Sequence, residues 1–318
     1  MADWETRAVR SDGCRIAYDC RQGEGPEVVL LHGYGLDRTM WAPQLVALEG
    51  WTVLNLDIRG HGDSRPCADF SIPQAAEDLR AVLVKERCRA PALVGLSMGG
   101  YVVQEYAWQF GGCAGYLGAG ATPILLDCYS GWERAGLRAS TPLLGVWPWR
   151  CLKSAMAMAC SSTEEGRAAV RRMFDQLTRR EFLRGWRGIA QCLHPEKHFS
   201  FDAPLLVCRG ERDRTGTIAR HMAAWKRAWP ETETAVLPGA AHVVNLDAPE
   251  AFNRLLLDFL TRCGGSRTGR RCKACPRRAS VCGWSSPPWR SCCPIPFSCP
   301  LAPSLTTRRG AAGARPHP

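Results

Sequence analysis

The stretch Pro91-Ala92-Leu93-Val94-Gly95-Leu96-Ser97-Met98-Gly99-Gly100-Tyr101 decides the fold. An apolar run rises to a serine flanked by a glycine two residues away on each side, and an amphipathic pattern then resumes from Tyr101 to Phe110. This reads as a strand, a very tight turn and a helix. A serine at such a turn adopts strained backbone angles, so its neighbours must lack side-chain bulk. Gly95 and Gly99 meet that need. The hydroxyl of Ser97 is then held at the C-terminal end of a strand, over the N-terminus of a helix.

Working outward, the same alternation repeats on both sides. Residues 5–20 read as a hairpin turning at Ser11-Asp12-Gly13. Pro26 to Leu31 and Trp51 to Leu56 are continuous apolar runs suited to buried parallel strands. The first ends in His32-Gly33-Tyr34-Gly35 and the second in Asp57-Ile58-Arg59-Gly60-His61-Gly62. Helices are expected over residues 41–48 and 72–88, and residues 114–120 form a weaker, glycine-rich strand candidate. From Pro123 to about Phe201 strand signals vanish and helical ones replace them. Ser162-Thr163-Glu164-Glu165 and Thr178-Arg179-Arg180-Glu181 look like capping boxes. Leu205 to Arg209 restores the strands, followed by a helix at 218–229, a short strand at 234–237 and a closing helix at 249–262. The expected fold class is α/β: a mostly parallel, doubly wound sheet with an inserted helical lid. Its segments are 1–122 (core, first part), 123–201 (lid), 202–263 (core, second part) and 264–318 (a tail).

Charge and cysteine separate the tail from the body. The net charge is +11, yet residues 1–263 hold 31 basic against 30 acidic residues, and 264–318 hold ten basic and none acidic. The body is near neutral, so nucleic acid is not an expected partner; only the basic tail is suited to contact it. That tail, rich in Pro, Arg, Ser and Cys without periodicity, is expected to be disordered. Cys272, Cys275 and Cys282 have a partial metal-ligand look, but no fourth ligand completes a tetrahedral set. In the body, cysteines such as Cys128, Cys192 and Cys208 sit in apolar runs without framework spacing and read as small buried hydrophobes. With no secretory h-region and no run of ~18 apolar residues, a cytoplasmic protein without a membrane partner is expected.

A serine hydroxyl needs an adjacent base, and the base an orienting acid. Of the seven histidines, His32 and His61 precede glycines and shape turns, and His221 lies within a helix. His194 and His198 are separated by Pro195, which argues against a helical metal pair. His317 lies in the tail. His242 remains, in a loop of small residues after a short strand. Asp213, ending the strand at Gly210-Glu211-Arg212-Asp213, is the favoured acid, with Asp127 its competitor. Asp57 also ends a strand, but Arg59 and the turn after it suggest local pairing. Backbone N–H groups of Met98 and Tyr34 are the expected donors to an oxyanion. Trp132, Trp147, Trp149, Met156 and Met158 in the lid are candidates to line a substrate pocket.

Taken together, these pieces resemble the α/β-hydrolase superfamily over residues 5–262. The resemblance rests on His32-Gly33-Tyr34-Gly35, Asp57-Ile58-Arg59-Gly60-His61-Gly62, Gly95-Leu96-Ser97-Met98-Gly99, Gly210-Glu211-Arg212-Asp213 and Gly239-Ala240-Ala241-His242, in the family's order. Within the superfamily the chain is most similar to small esterases, enol-lactonases and cofactor-free haloperoxidase or perhydrolase types. A serine at position 97 speaks against epoxide hydrolases and haloalkane dehalogenases, whose nucleophile is Asp. The glycine-rich strand at 114–120 and the tail depart from the family pattern. The resemblance implies a serine hydrolase of small, largely apolar esters, lactones or thioesters, working through an acyl-enzyme without cofactor or metal. Its rivals are C–C bond hydrolysis or perhydrolysis by the same triad, and a non-catalytic small-ligand receptor on the same fold.

Overall fold

The computed structural model describes residues 3–195 and 199–265. Expectations for the tail beyond residue 265, its cysteines included, and for His198 lie outside the described residues. The strands are β1 (Glu5–Ser11), β2 (Cys14–Arg21), β3 (Glu27–Leu31), β4 (Thr52–Leu56), β5 (Ala92–Leu96), β6 (Gly115–Ala119), β7 (Leu205–Gly210) and β8 (Glu233–Leu237). They form one sheet in the order β1-β2-β4-β3-β5-β6-β7-β8. β1 and β2 pair antiparallel, as do β2 and β4. Every other neighbouring pair is parallel.

The first hairpin turns more tightly than expected. Ser11 belongs to β1, and the turn is Asp12-Gly13 alone, with φ of 43° and 74°. Two positive φ values give a turn whose twist matches that of the strands it joins. β5 and β6 are buried along their whole length. Helices on both faces exclude water, so apolar runs replace alternation. Each fully buried Val or Leu contributes about 1.5–3 kcal/mol relative to exposure.

The helices are α1 (Ala42–Ala47), α2 (Ile72–Lys85), α3 (Met98–Gln109), α4 (Gly131–Val146), α5 (Trp149–Cys160), α6 (Glu164–Asp175), α7 (Arg179–Ala190), α8 (Ile218–Ala228), α9 (Val244–Asp247) and α10 (Pro249–Gly265). The strand at β6 is weak in sequence because α10 packs against it without clearance. A Cβ on Gly115 would lie 2.4 Å from the Cys263 sulfur.

Helices α4–α7 form an insertion between β6 and β7. Its α7 opens with the expected capping box, Thr178 with Glu181. α6 differs: Thr163 caps it, but the third residue is Gly166, so no acidic side chain reaches back. α4 carries an unanticipated box, Ser130 with Glu133. The insertion rests on the loops that follow β3 and β4. Gln176 Nε2 donates to Asp37 Oδ2 (2.7 Å) and Arg184 Nη1 to the Cys67 carbonyl (2.7 Å). Phe174 fills the space a side chain on Gly35 would need. It therefore lies over the C-terminal ends of the parallel strands, where open α/β sheets bind ligands.

Those loops are fixed by buried polar groups. His32 Nε2 accepts the Ile58 N–H (2.9 Å), so its Nδ1–H donates to the Gly33 carbonyl (2.8 Å). This ties the end of β3 to the end of β4. His61 Nδ1 contacts the Arg59 carbonyl at 3.1 Å. Asp57 does not pair with Arg59 as expected. Arg38 reaches its carboxylate, and the N–H groups of Arg38 and Asp63 donate to it at 2.8 Å. Arg59 pairs instead with Asp78, buried, at 2.6 and 2.8 Å. Cysteine usage also differs from expectation. Cys14 and Cys67, 53 residues apart, form a disulfide with Cα atoms 5.5 Å apart. Cys192 and Cys208 are buried, whereas Cys128 is half-buried. No helix among the described residues is long and apolar enough to cross a membrane.

Burial holds His32 neutral, with its pKa lowered to about 4, and His61 likewise, to about 3. In the unfolded chain both titrate near ~6.5. Below that pH the unfolded state takes up protons that the native state refuses, so stability is lost as pH falls toward the folded values. The unfolding free energy should fall by about 1.4 kcal/mol per pH unit for each histidine between about pH 6.5 and 4. His61→Phe should remove one histidine's share of that slope in urea melts between about pH 6.5 and 5. An unchanged slope would count against this account.

Candidate active site

β5 ends at Leu96 and α3 begins at Met98, leaving Ser97 alone to reverse the chain. Its φ is 52° and its ψ −112°, a left-handed conformation that is strained for a residue with a Cβ. The flanking glycines allow it. A Cβ on Gly95 would lie 2.3 Å from the Gly99 carbonyl, and one on Gly99 would lie 2.2 Å from the Leu31 carbonyl oxygen. Neighbouring backbone locks the turn, with the Ser97 N–H donating to the Ala119 carbonyl at 2.7 Å. The serine is half-buried.

The other two residues arrive from the far half of the sheet. Asp213 lies three residues beyond β7, and His242 lies in the loop between β8 and α9. His242 Nδ1 is 3.0 Å from Asp213 Oδ2, and both side chains are buried. A buried carboxylate accepts, so Nδ1 carries the proton and Nε2 keeps its lone pair. Asp213 Oδ1 also accepts the Thr215 N–H at 2.9 Å. Burial pushes the Asp213 carboxyl upward. The hydrogen bond and charge of His242, with the Thr215 N–H, outweigh burial and leave it below the usual carboxylate value.

Two more glycines bring His242 in. A Cβ on Gly210 would strike the Ala240 and Ala241 carbonyls at 2.3 and 2.1 Å. Gly120 has φ of 57°, and a Cβ there would lie 3.1 Å from His242 Nδ1 and Cε1. Gly120 directly follows Ala119, whose carbonyl holds the Ser97 N–H. The serine turn and the histidine ring thus meet at the end of β6. Asp127, the competing acid, is exposed.

Residues 28–255 match the family model described as the alpha/beta hydrolase family. The chain belongs to that family. A pimeloyl-[acyl-carrier protein] methyl ester esterase from Yersinia enterocolitica is 27% identical over 249 residues, covering 74% of this chain and 94% of that one. A thermophilic esterase from Thermogutta terrifontis superposes with a TM-score of 0.70 at 22% identity, over 82% of this chain and 99% of that one. The enol-lactonase from Burkholderia xenovorans LB400 gives 0.67 at 22% identity, over 80% and 100%.

Of the expected oxyanion donors, Met98 opens α3 and is fully buried. Tyr34 lies in a turn closed by the Leu36 N–H on the Gly33 carbonyl (3.2 Å). Its ring was not anticipated as a structural element. It packs against Phe182 and Trp186 of α7, and its buried hydroxyl donates to the Phe182 carbonyl. Burial holds that hydroxyl's pKa well above the usual tyrosine value.

Three of the five expected pocket residues are largely exposed. Trp132 is 89% exposed, Met158 55% and Trp147 46%. Trp149 lies tilted against Phe182, ring centres 5.2 Å apart, and Met156 packs partly buried against the core. A groove of about 890 Å³ lies beside Trp4, Arg21 and Leu45 and includes none of Ser97, Asp213 or His242. Among the described residues no cluster of three or more His, Cys, Asp or Glu is placed to hold a metal. Gly120, which helps admit His242, was missed because a lone glycine after a strand reads as turn, and Gly210 was read only as part of the Gly210-Glu211-Arg212-Asp213 strand end; their signal was position at two strand ends.

Gly99→Ala should cost about 2 kcal/mol or more, because its Cβ must displace the β3 backbone rather than a flexible side chain. Guanidinium unfolding of the purified variant measures this. A loss under about 0.5 kcal/mol, the range of an ordinary surface change, would contradict the close approach.

Proposed function

We propose that this protein is a serine hydrolase acting on small, largely apolar carboxylic esters, lactones or thioesters. The observation that carries this reading is the buried 3.0 Å pairing of His242 Nδ1 with Asp213, reached at the strand end that holds Ser97. That pairing leaves Nε2 with its lone pair for a serine proton.

His242 removes the proton from Ser97 as its oxygen attacks the substrate carbonyl. Asp213 holds the imidazole in the required tautomer and stabilises the imidazolium that forms. Its depressed pKa fits that role, since the carboxylate must stay ionised while the histidine gains charge. The N–H groups of Met98 and Tyr34 receive the developing oxyanion; among the described residues neither donates to a protein acceptor. His242 then returns the proton to the leaving alcohol or thiol, and water, activated by the same imidazole, releases the acyl group.

Helices α4–α7 act as a lid over the strand ends. The aromatic group of Tyr34, Phe174, Phe182 and Trp186 where the lid meets the oxyanion loop supports an apolar substrate. The esterase and enol-lactonase likenesses support the same reaction class.

Ser97→Ala should abolish turnover of p-nitrophenyl acetate while the circular dichroism spectrum is retained. Undiminished turnover would overturn the assignment. Asp213→Asn should keep the fold and lower kcat by about 10⁴-fold, because Asn stabilises the wrong tautomer. A change below about tenfold would remove Asp213 from the mechanism.

A further inference from the structure

We propose that Asp247 is a positioning residue that fastens the lid to the loop carrying His242, so that lid placement sets the placement of the base. This rests on the function proposed above. Asp247 ends the short helix α9, five residues beyond His242, and belongs to neither the triad nor the oxyanion donors.

One carboxylate gathers donors from two distant segments. From the histidine loop, the Ala241 N–H donates to Asp247 Oδ2 at 2.8 Å. From the α5–α6 junction of the lid, the Ser162 N–H (2.8 Å) and hydroxyl (3.0 Å) donate to the same oxygen. The Ser161 hydroxyl donates to Oδ1 at 2.5 Å, with the Thr163 hydroxyl at 3.5 Å. A second bond runs beside it: the Val243 N–H donates to the Cys160 carbonyl of the lid at 2.9 Å. The residues immediately before and after His242 are therefore both tied to lid residues 160–163.

Packing at the junction is equally specific. A Cβ on Gly166, in the first turn of α6, would lie 2.2 Å from Ser161 Oγ and 3.0 Å from Asp247 Oδ1. Only glycine lets α6 begin this close to the carboxylate. The loop from Gly239 to Val243 has small residues and little side-chain bulk of its own to fix it. Its geometry comes from these bonds, and an imidazole displaced by an ångström loses much of its efficiency as a base.

Replacement by Asn separates geometry from mere stability. Asn supplies one oxygen to the Ala241 and Ser162 donors. Its amide then faces Ser161 Oγ, whose hydrogen also has the Thr163 carbonyl within reach at 3.1 Å, leaving a lone pair to accept. Asn therefore keeps the clamp, whereas Ala cannot.

The test compares Asp247→Ala, Asp247→Asn and Gly166→Ala with wild type. Readouts are kcat and KM on p-nitrophenyl acetate, thermal melting, and the low-field ¹H resonance of the His242 Nδ1–H bonded to Asp213. Asp247→Ala and Gly166→Ala should lower kcat by about ten- to a hundredfold with KM changed less than about twofold, and should shift or broaden that resonance. Asp247→Asn should restore both. A resonance and kcat unchanged in Asp247→Ala would overturn the proposal. So would equal losses in the Ala and Asn variants that follow melting temperature alone. If wild type turns over no ester, the hydrolase reading fails on its own, and the resonance still decides whether Asp247 positions His242.

Discussion

The contact between Gly99 and the carbonyl of Leu31 is the constraint on which the site depends. At that point the first turn of α3 touches the end of β3 with no room for a methyl group. Only this approach lets β5 deliver Ser97 to the sheet edge and let the chain leave again at once as a helix. The serine bears the strain of φ 52°, and the bond from its N–H to Ala119 holds it there. The backbone that presents the Ser97 hydroxyl is thus fixed in advance.

The same economy of space brings in His242. Gly210 and Gly120 clear the way for the His242 loop, as Gly95 and Gly99 do for the serine. Parallel strands place all their C-terminal ends on one edge, so residues more than a hundred positions apart meet without long excursions of the chain. Burial then makes the Asp213–His242 pair directional: the carboxylate is surrounded by donors, and the imidazole is left with one free nitrogen. The inserted helices meet this edge as well: the Asp247 carboxylate accepts from both Ala241 and Ser162.

Much of this was legible in the sequence because it is local. The Gly95-Leu96-Ser97-Met98-Gly99 turn, the apolar parallel strands and the loop placement of His242 follow from short-range sterics and periodicity. That Asp213 rather than Asp127 pairs with His242 was readable because Asp213 follows a strong strand one unit before the histidine. What escaped depends on long-range pairing. Arg38 rather than Arg59 reaches Asp57, since partner choice is set by the crossing of two loops and not by sequence distance. Cys14 and Cys67 meet for the same reason. The insertion of α4–α7 was visible as helices, but not which faces look inward. Trp132, Trp147 and Met158 carry the residue types of a pocket wall and turn to solvent instead. In a small helical layer both faces carry apolar residues, and periodicity alone does not tell them apart.

The central claim is that Ser97 is a nucleophile activated by His242. The most direct measurement is site-resolved labelling by a fluorophosphonate, read by peptide mass spectrometry in wild type and His242→Ala. The account predicts one phosphonyl adduct, on Ser97, formed rapidly in wild type and lost or greatly slowed in the variant. An adduct on another residue, or labelling of Ser97 that proceeds equally fast without His242, would contradict it.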